Sequence, residues 1–177
     1  MSISLAVKYR PKTFSDVVEQ SATITILEQQ LATSNIKNAY LFCGGAGTGK
    51  TTCARIFADE INKGVGSPIE LDAASNNSVD DVRDIIHQAK TSALDSEYKV
   101  FIMDEVHALS NQAWQAMLKV LEEPPTKSIF IMCTTEKNKI PKTILSRVQQ
   151  FDFQRISTNA IAGRLTEVLK QEGAVEI

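Results

Sequence analysis

The chain has 177 residues, 43% hydrophobic and 23% charged. That profile excludes a disordered or fibrous polymer and suits one domain of ordinary size, or one domain plus the start of another. Lys and Arg number 19 against 21 Asp and Glu, a net charge of -2, which excludes a strongly basic nucleic-acid binder but not a locally basic face.

No apolar run approaches a membrane span, and residues 1–10 lack the long apolar stretch and cleavage site of a secretory signal. In chain order, periodicity predicts a helix over 21–34, a strand over 39–43, a helix over 50–62 and a strand over 69–72. A helix over 79–92, a strand over 99–103 and a helix over 111–122 follow, then strands over 128–133 and 148–153 and a helix over 159–172. Most of the strands are nearly continuous in apolar residues, as strands buried on both faces of a parallel sheet are. Ser78 and Asp81 have capping-box spacing, and Pro124-Pro125 stops a helix. The expected architecture is α/β: a central parallel five-stranded sheet flanked by helices, over 1–153. The helix after it would begin a second unit, 154–177, as part of something longer. Cys43, Cys53 and Cys133 form no CxxC pair and His87 and His107 stand apart. No zinc site is expected, and the thiols read as buried residues of a reducing cytoplasm.

The sharpest local signal is Gly44-Gly45-Ala46-Gly47-Thr48-Gly49-Lys50-Thr51, followed by Thr52, which fits G-x-x-x-x-G-K-[ST]. The glycines let successive N–H groups turn inward toward phosphate oxygens, and the helix from Lys50 aims its positive end at the same anion. Lys50 supplies charge for the β- and γ-phosphates, and the Thr51 hydroxyl can ligate Mg²⁺. A Gly-rich turn that merely precedes Lys-Thr is the bland alternative; the strand before it and helix after it argue for nucleotide binding. The apolar strand 99–103 runs into Asp104-Glu105. Asp104 is expected to hold Mg²⁺, and Glu105 to orient or deprotonate water, rather than the pair being an exposed acidic turn. Thr134 and Thr135 close another strand; a hydroxyl there could touch the γ-phosphate, or the pair could simply be β-branched strand residues. Arg147 could pair with a local carboxylate or reach a neighbouring subunit's γ-phosphate.

The phosphate loop, the DEVH segment from Asp104 to His107, the LEEPP run 121–125, Thr134-Thr135-Glu136 and Leu145-Ser146-Arg147 occur in this order in clamp-loader AAA+ ATPases. With Lys8-Tyr9-Arg10-Pro11 and Phe14-Ser15-Asp16-Val17-Val18, the chain resembles that family over nearly its whole length. Within it the intact loop favours the gamma/tau type of bacterial DNA polymerase III subunit over delta-prime. The resemblance implies an AAA+ fold and an ATPase that uses ATP and Mg²⁺. It implies partnership with other clamp-loader subunits, a sliding clamp and the backbone of primer–template DNA. It also implies that Tyr9, Arg10, Pro11 and Val18 line an adenine pocket, that Thr134 or Thr135 is the sensor 1 residue, and that Arg147 acts in trans. Asn77, Ser78 and Arg83 would face DNA; the plain alternative for Arg83 is an i,i+3 pair with Asp80.

Three departures stand out. Residues 63–68 occupy the place where the family carries a four-cysteine zinc module, so the chain reads as a shortened or divergent member. Val148 replaces the cysteine of the family's Ser-Arg-Cys. The chain stops inside the lid, without the sensor 2 arginine and the collar, so by itself it is expected to bind nucleotide weakly and hydrolyse it slowly. A helicase or branch-migration motor, which DNA alone stimulates, and a nucleotide-dependent scaffold without turnover are the rival functions. The LEEPP run argues against the first, and Asp104-Glu105 against the second.

Overall fold

The computed structural model describes residues 3–91, 93 and 96–173. Five parallel strands form one sheet: β1 (Ala39–Cys43), β2 (Ile69–Asp72), β3 (Lys99–Asp104), β4 (Ser128–Thr134) and β5 (Gln149–Asp152), in the order β2-β3-β4-β1-β5. The helices are α1 (Leu5–Lys8), α2 (Ser21–Ala32), α3 (Lys50–Ile61), α4 (Val79–Ala89), α5 (Asn111–Glu122), α6 (Lys142–Leu145) and α7 (Thr158–Gln171).

Strand side chains alternate between two cores, as the period of two requires. Leu41, Phe101, Met103, Phe130 and Met132 pack with Val82, Ile85, Trp114 and Met117 of α4 and α5. Tyr40, Phe42, Ile102, Ile129 and Ile131 pack with Leu27 of α2 and Cys53, Phe57 and Ile61 of α3. Burial on both faces explains the unbroken apolar runs of β1, β3 and β4. The outer strands differ: β2 reads Ile-Glu-Leu-Asp and β5 reads Gln-Gln-Phe-Asp, with Phe151 the one buried residue between them.

The predicted elements are all present, with shifted ends. α2 stops at Ala32 and α3 at Ile61 because Ser34 (φ 54°) and Lys63 (φ 53°) turn left-handed just beyond. α4 stops at Ala89; Ser92, its predicted end, lies outside the described residues. The capping box forms as read: Ser78 Oγ accepts from the Asp81 N–H at 3.2 Å, and Asp81 Oδ2 accepts from the Ser78 N–H at 3.2 Å. β3 and β4 each run one residue further, because Asp104 pairs with Asp72 and Thr134 with Cys43. α7 starts one residue early, its first turn capped by Ser157 Oγ, which accepts from the Ala160 N–H. It buries no residue and leaves Ile161, Leu165 and Leu169 exposed. The short α1 and α6 and three 3₁₀ turns carried no period long enough to predict.

Phe101 and Phe130 stack across β3 and β4 with centroids 5.2 Å apart, both fully buried. Phe130→Ala is expected to cost about 3–5 kcal/mol of stability, read as a lower urea midpoint with unchanged slope.

Candidate nucleotide site

The site grows from the C-terminal end of β1. The chain enters the loop at Gly44 (φ 156°), where an added Cβ would stand 2.8 Å from the Phe153 carbonyl oxygen and 2.9 Å from the Phe153 Cβ. No side chain fits that approach. Gly47 and Gly49 are left-handed, at φ 74° and 89°. Thr48 Oγ1 donates to the Gly45 carbonyl at 2.8 Å and Lys50 Nζ donates to the same oxygen at 2.7 Å, the Lys50 side chain being buried. Gly49 precedes α3 and offers no capping side chain, so the helix's positive end faces the loop.

β3 delivers the carboxylates. Thr51 Oγ1 donates to Asp104 Oδ2 at 2.7 Å, and the Glu105 N–H donates to Asp104 Oδ1 at 3.0 Å. Glu105 itself is left-handed, φ 54°, a conformation that costs a non-glycine residue on the order of 1 kcal/mol or more. Ala46, Gly47, Gly49, Lys50, Thr51, Thr52, Asp104, Glu105 and Thr135 surround a cavity of about 270 Å³. Thr51 and Asp104 offer two hard oxygen donors side by side, which fits Mg²⁺. Among the described residues no three His, Cys, Asp or Glu side chains gather as a metal cluster.

Only Thr135 of the two threonines lines the cavity. Thr134 is fully buried, and its Oγ1 accepts from the Glu136 N–H at 3.0 Å and lies 2.9 Å from His107 Nδ1. Sequence reasoning quoted His107 as part of a motif and assigned it no contact. Gln20 was also missed. Its buried amide donates to the carbonyls of Thr48 (3.1 Å) and Gln154 (2.8 Å) and accepts from the Gln154 N–H (3.0 Å). It ties the phosphate loop to the segment leading into α7; a lone glutamine has no periodic signature that could reveal this.

The other candidates lie apart. Val18 lines a second cavity of about 320 Å³, between residues 15–18 and Ala160, Gly163, Arg164 and Glu167 of α7. Tyr9 instead engages α7 directly: its hydroxyl and Lys8 Nζ both reach the Glu172 carboxylate, which these contacts hold below its ordinary pKa, and its carbonyl accepts from Arg164 Nη2 at 2.9 Å. Arg10 is exposed and Pro11 half-buried. Arg147 precedes β5, at the edge of the sheet opposite the phosphate loop, and pairs with Glu122 at 2.9 Å. Asn77 accepts the Ser110 N–H at its carbonyl (3.0 Å), the Ser78 side chain is spent on the capping box, and Arg83 makes the i,i+3 pair with Asp80 at 3.4 Å.

The fold and the site now stand beside known proteins. Residues 67–157 match the family described as DNA polymerase III, delta subunit. The chain belongs to this family. It is 44% identical to DNA polymerase III subunit tau of Bacillus subtilis, over 96% of this chain and 35% of that one. It is 38% identical to the tau subunit of Escherichia coli, over 95% of this chain and 29% of that one. Both relatives carry the tau name, and the chain spans about a third of the length of each. The Bacillus alignment runs over 196 residues, more than this chain contains, so that relative carries residues with no counterpart here. The fold matches the Thermotoga maritima branch-migration motor RuvB, with TM-score 0.77 at 17% identity, over 93% of this chain and 55% of that one. It also matches a DNA polymerase III gamma subunit-related protein of the same organism, with TM-score 0.64 at 21% identity, over 81% of this chain and 53% of that one. The sheet and its phosphate loop are those of the P-loop AAA+ fold.

Gly44→Ala drives a Cβ into Phe153 and should lower both the thermal midpoint and nucleotide affinity, whereas Gly45→Ala, with open space at its Cβ, should leave the midpoint nearly unchanged. Burial pushes the thiols of Cys43 and Cys53 up to about 11 and about 12, and that of Cys133 higher still. All three should therefore resist a thiol-disulfide reagent at pH 8 in the native protein and react quickly in denaturant.

Proposed function

We propose that the chain is the ATP-hydrolysing AAA+ module of a DNA polymerase III clamp-loader subunit. The observation that carries this reading is the Thr51 Oγ1 to Asp104 Oδ2 hydrogen bond of 2.7 Å, which joins the phosphate loop to the carboxylate strand beside a cavity of phosphate-binding size. Residues 1–153 act as the nucleotide-binding core and 154–177 as the beginning of a helical lid. ATP and Mg²⁺ are its cofactors, and no zinc is assigned to it.

In this reading the N–H groups from Gly44 to Thr52 cradle the β- and γ-phosphates, and Lys50 leaves the Gly45 carbonyl to neutralise their charge. Thr51 and Asp104 hold Mg²⁺, which when bound supplies charge neutralisation at the β- and γ-phosphate oxygens. Glu105 accepts the proton of the attacking water, and Thr135 orients the γ-phosphate or that water. Val18 and the segment Tyr9-Arg10-Pro11 flank the adenine, with α7 as the opposite wall. Arg147 serves a neighbouring subunit: its place at the far edge of the sheet from its own loop supports action in trans only, and its bond to Glu122 is the resting contact. Asn77, Ser78 and Arg83 face the backbone of primer–template DNA, a sequence-independent and salt-sensitive contact. The other partners are fellow clamp-loader subunits and the sliding clamp, in the cytoplasm; no helix among the described residues is long and apolar enough to cross a membrane.

Calorimetry with Mg-ATP tests the cradle: wild type should bind and Lys50→Ala should not, and equal affinities would remove the assignment. In the complex reconstituted with full-length subunits, Glu105→Gln should bind ATP and fail to turn over. Arg147→Ala should leave this chain's own affinity intact while lowering turnover by roughly a thousandfold or more. Stimulation by clamp plus primer–template supports the clamp-loader reading. Stimulation by DNA alone would favour a branch-migration motor, the activity named for the RuvB neighbour.

A further inference from the structure

His107 is the most heavily engaged titratable side chain beside the cavity, and the scheme above gives it no role. Its side chain is 15% exposed. Nδ1 lies 2.9 Å from Thr134 Oγ1, while Nε2 lies 3.3 Å from Glu105 Oε2 and 3.3 Å from Glu136 Oε2. One tautomer of the neutral ring joins this cluster into a continuous run of donors and acceptors. The Glu136 N–H donates to Thr134 Oγ1 at 3.0 Å, which leaves the threonine's own O–H free to donate. In the neutral ring one nitrogen accepts and the other donates. If Nδ1 accepts from Thr134, then Nε2 carries the hydrogen and points it between the two carboxylates. A single N–H cannot serve both, and 3.3 Å is longer than the usual 2.9–3.0 Å of an N–H···O bond. In this tautomer Nε2 is shared between Glu105 and Glu136 and committed to neither.

From this geometry we infer that His107 is the positioning residue for Glu105, and that Glu136 competes with Glu105 for the same Nε2 hydrogen. The consequence is a mechanical link between two strand ends. Thr134 closes β4, and its carbonyl accepts the Gly44 N–H at 3.2 Å. Thr135, next in the chain, lines the cavity. A displacement of the 134–136 segment moves the ring through Thr134 and shifts Glu136 relative to Nε2, so the orientation of Glu105 follows the state of the γ-phosphate side of the cavity. Glu105 needs such a guide, because its left-handed backbone projects its carboxylate from a turn rather than from the strand itself.

The inference rests on Glu105 acting on water as proposed, and the test separates the two. Full-length subunits carrying each substitution are assembled into the complex, and Mg-ATP affinity and steady-state turnover are measured together. His107→Ala should lower kcat about tenfold, less than the loss of a general base itself, with affinity changed less than about twofold. His107→Gln, whose amide N–H can reach the Nε2 position, should recover most of kcat; Glu136→Gln, which weakens the competitor, should raise it about twofold. In a Glu105→Asp background, whose shortened carboxylate leaves turnover that can still be read, adding His107→Ala should cause little further loss, because the two residues act as a unit. An unchanged kcat in His107→Ala, no rescue by glutamine, or an additive loss in the double variant would each overturn the positioning role. If Glu105→Gln itself turned over normally, the water-activating role of Glu105 would fail, and this inference would fall with it.

Discussion

The end of β1 is held from both sides, and the rest of the site hangs on that. Cys43 pairs with Thr134 of β4 and with Asp152 of β5. One residue on, the Gly44 N–H reaches the Thr134 carbonyl, and Phe153 returns an N–H to Cys43. Two strands distant in sequence therefore converge on the first residue of the phosphate loop. The loop leaves from a point that cannot move without breaking both ladders. Gly44 is the geometric consequence: with Phe153 packed so close, only a residue without a side chain can start the turn. Gln20 adds a third tie, from the N-terminal segment to Thr48 and Gln154, so the loop and the approach to α7 share one buried amide.

The strand order decides what the site can include. With all strands parallel, their C-terminal ends collect at one edge, where the loop, Asp104-Glu105 and Thr135 meet. The same rule sends Arg147, just before β5, to the other edge. Five residues of β1 separate the two levels, about 16 Å at the usual rise per strand residue. A side chain at that edge lies out of reach of its own phosphate loop, which is why the proposed role of Arg147 is toward a second molecule's phosphate. The competing local contact with Glu122 is half-exposed and of the kind that contributes little on its own, so releasing Arg147 costs little.

The last helix stands in a different relation to the core. α7 buries nothing of its own, and polar contacts hold it: Glu19 accepts from the Ser157 N–H at 2.7 Å and from its hydroxyl, while Lys8 and Tyr9 reach Glu172. The Ser157 bonds hold the Glu19 carboxyl below its ordinary pKa. Attachment by exposed polar contacts rather than by a core leaves the helix free to shift as a unit while the sheet stays rigid. The Val18 cavity lies on that seam.

Much of the molecule was legible in the residues themselves. The apolar runs of β1, β3 and β4, the capping box at Ser78 and the spacing from Gly44 to Thr51 follow from local rules, because strand burial, helix capping and phosphate cradling each need particular residues within a few positions. The ends of α2 and α3 were not legible, since the left-handed turns at Ser34 and Lys63 fall on residues that do not announce them. The edge position of β2 and β5 shows only faintly in their composition. Tertiary structure alone decided which threonine faces the cavity, that His107 stands between two carboxylates, that Gln20 braces the loop, and that Arg147 lies across the sheet from its own phosphate loop. Each of these depends on which strands lie side by side, and that order is set by long-range pairing and packing, which leave no periodic mark on the chain.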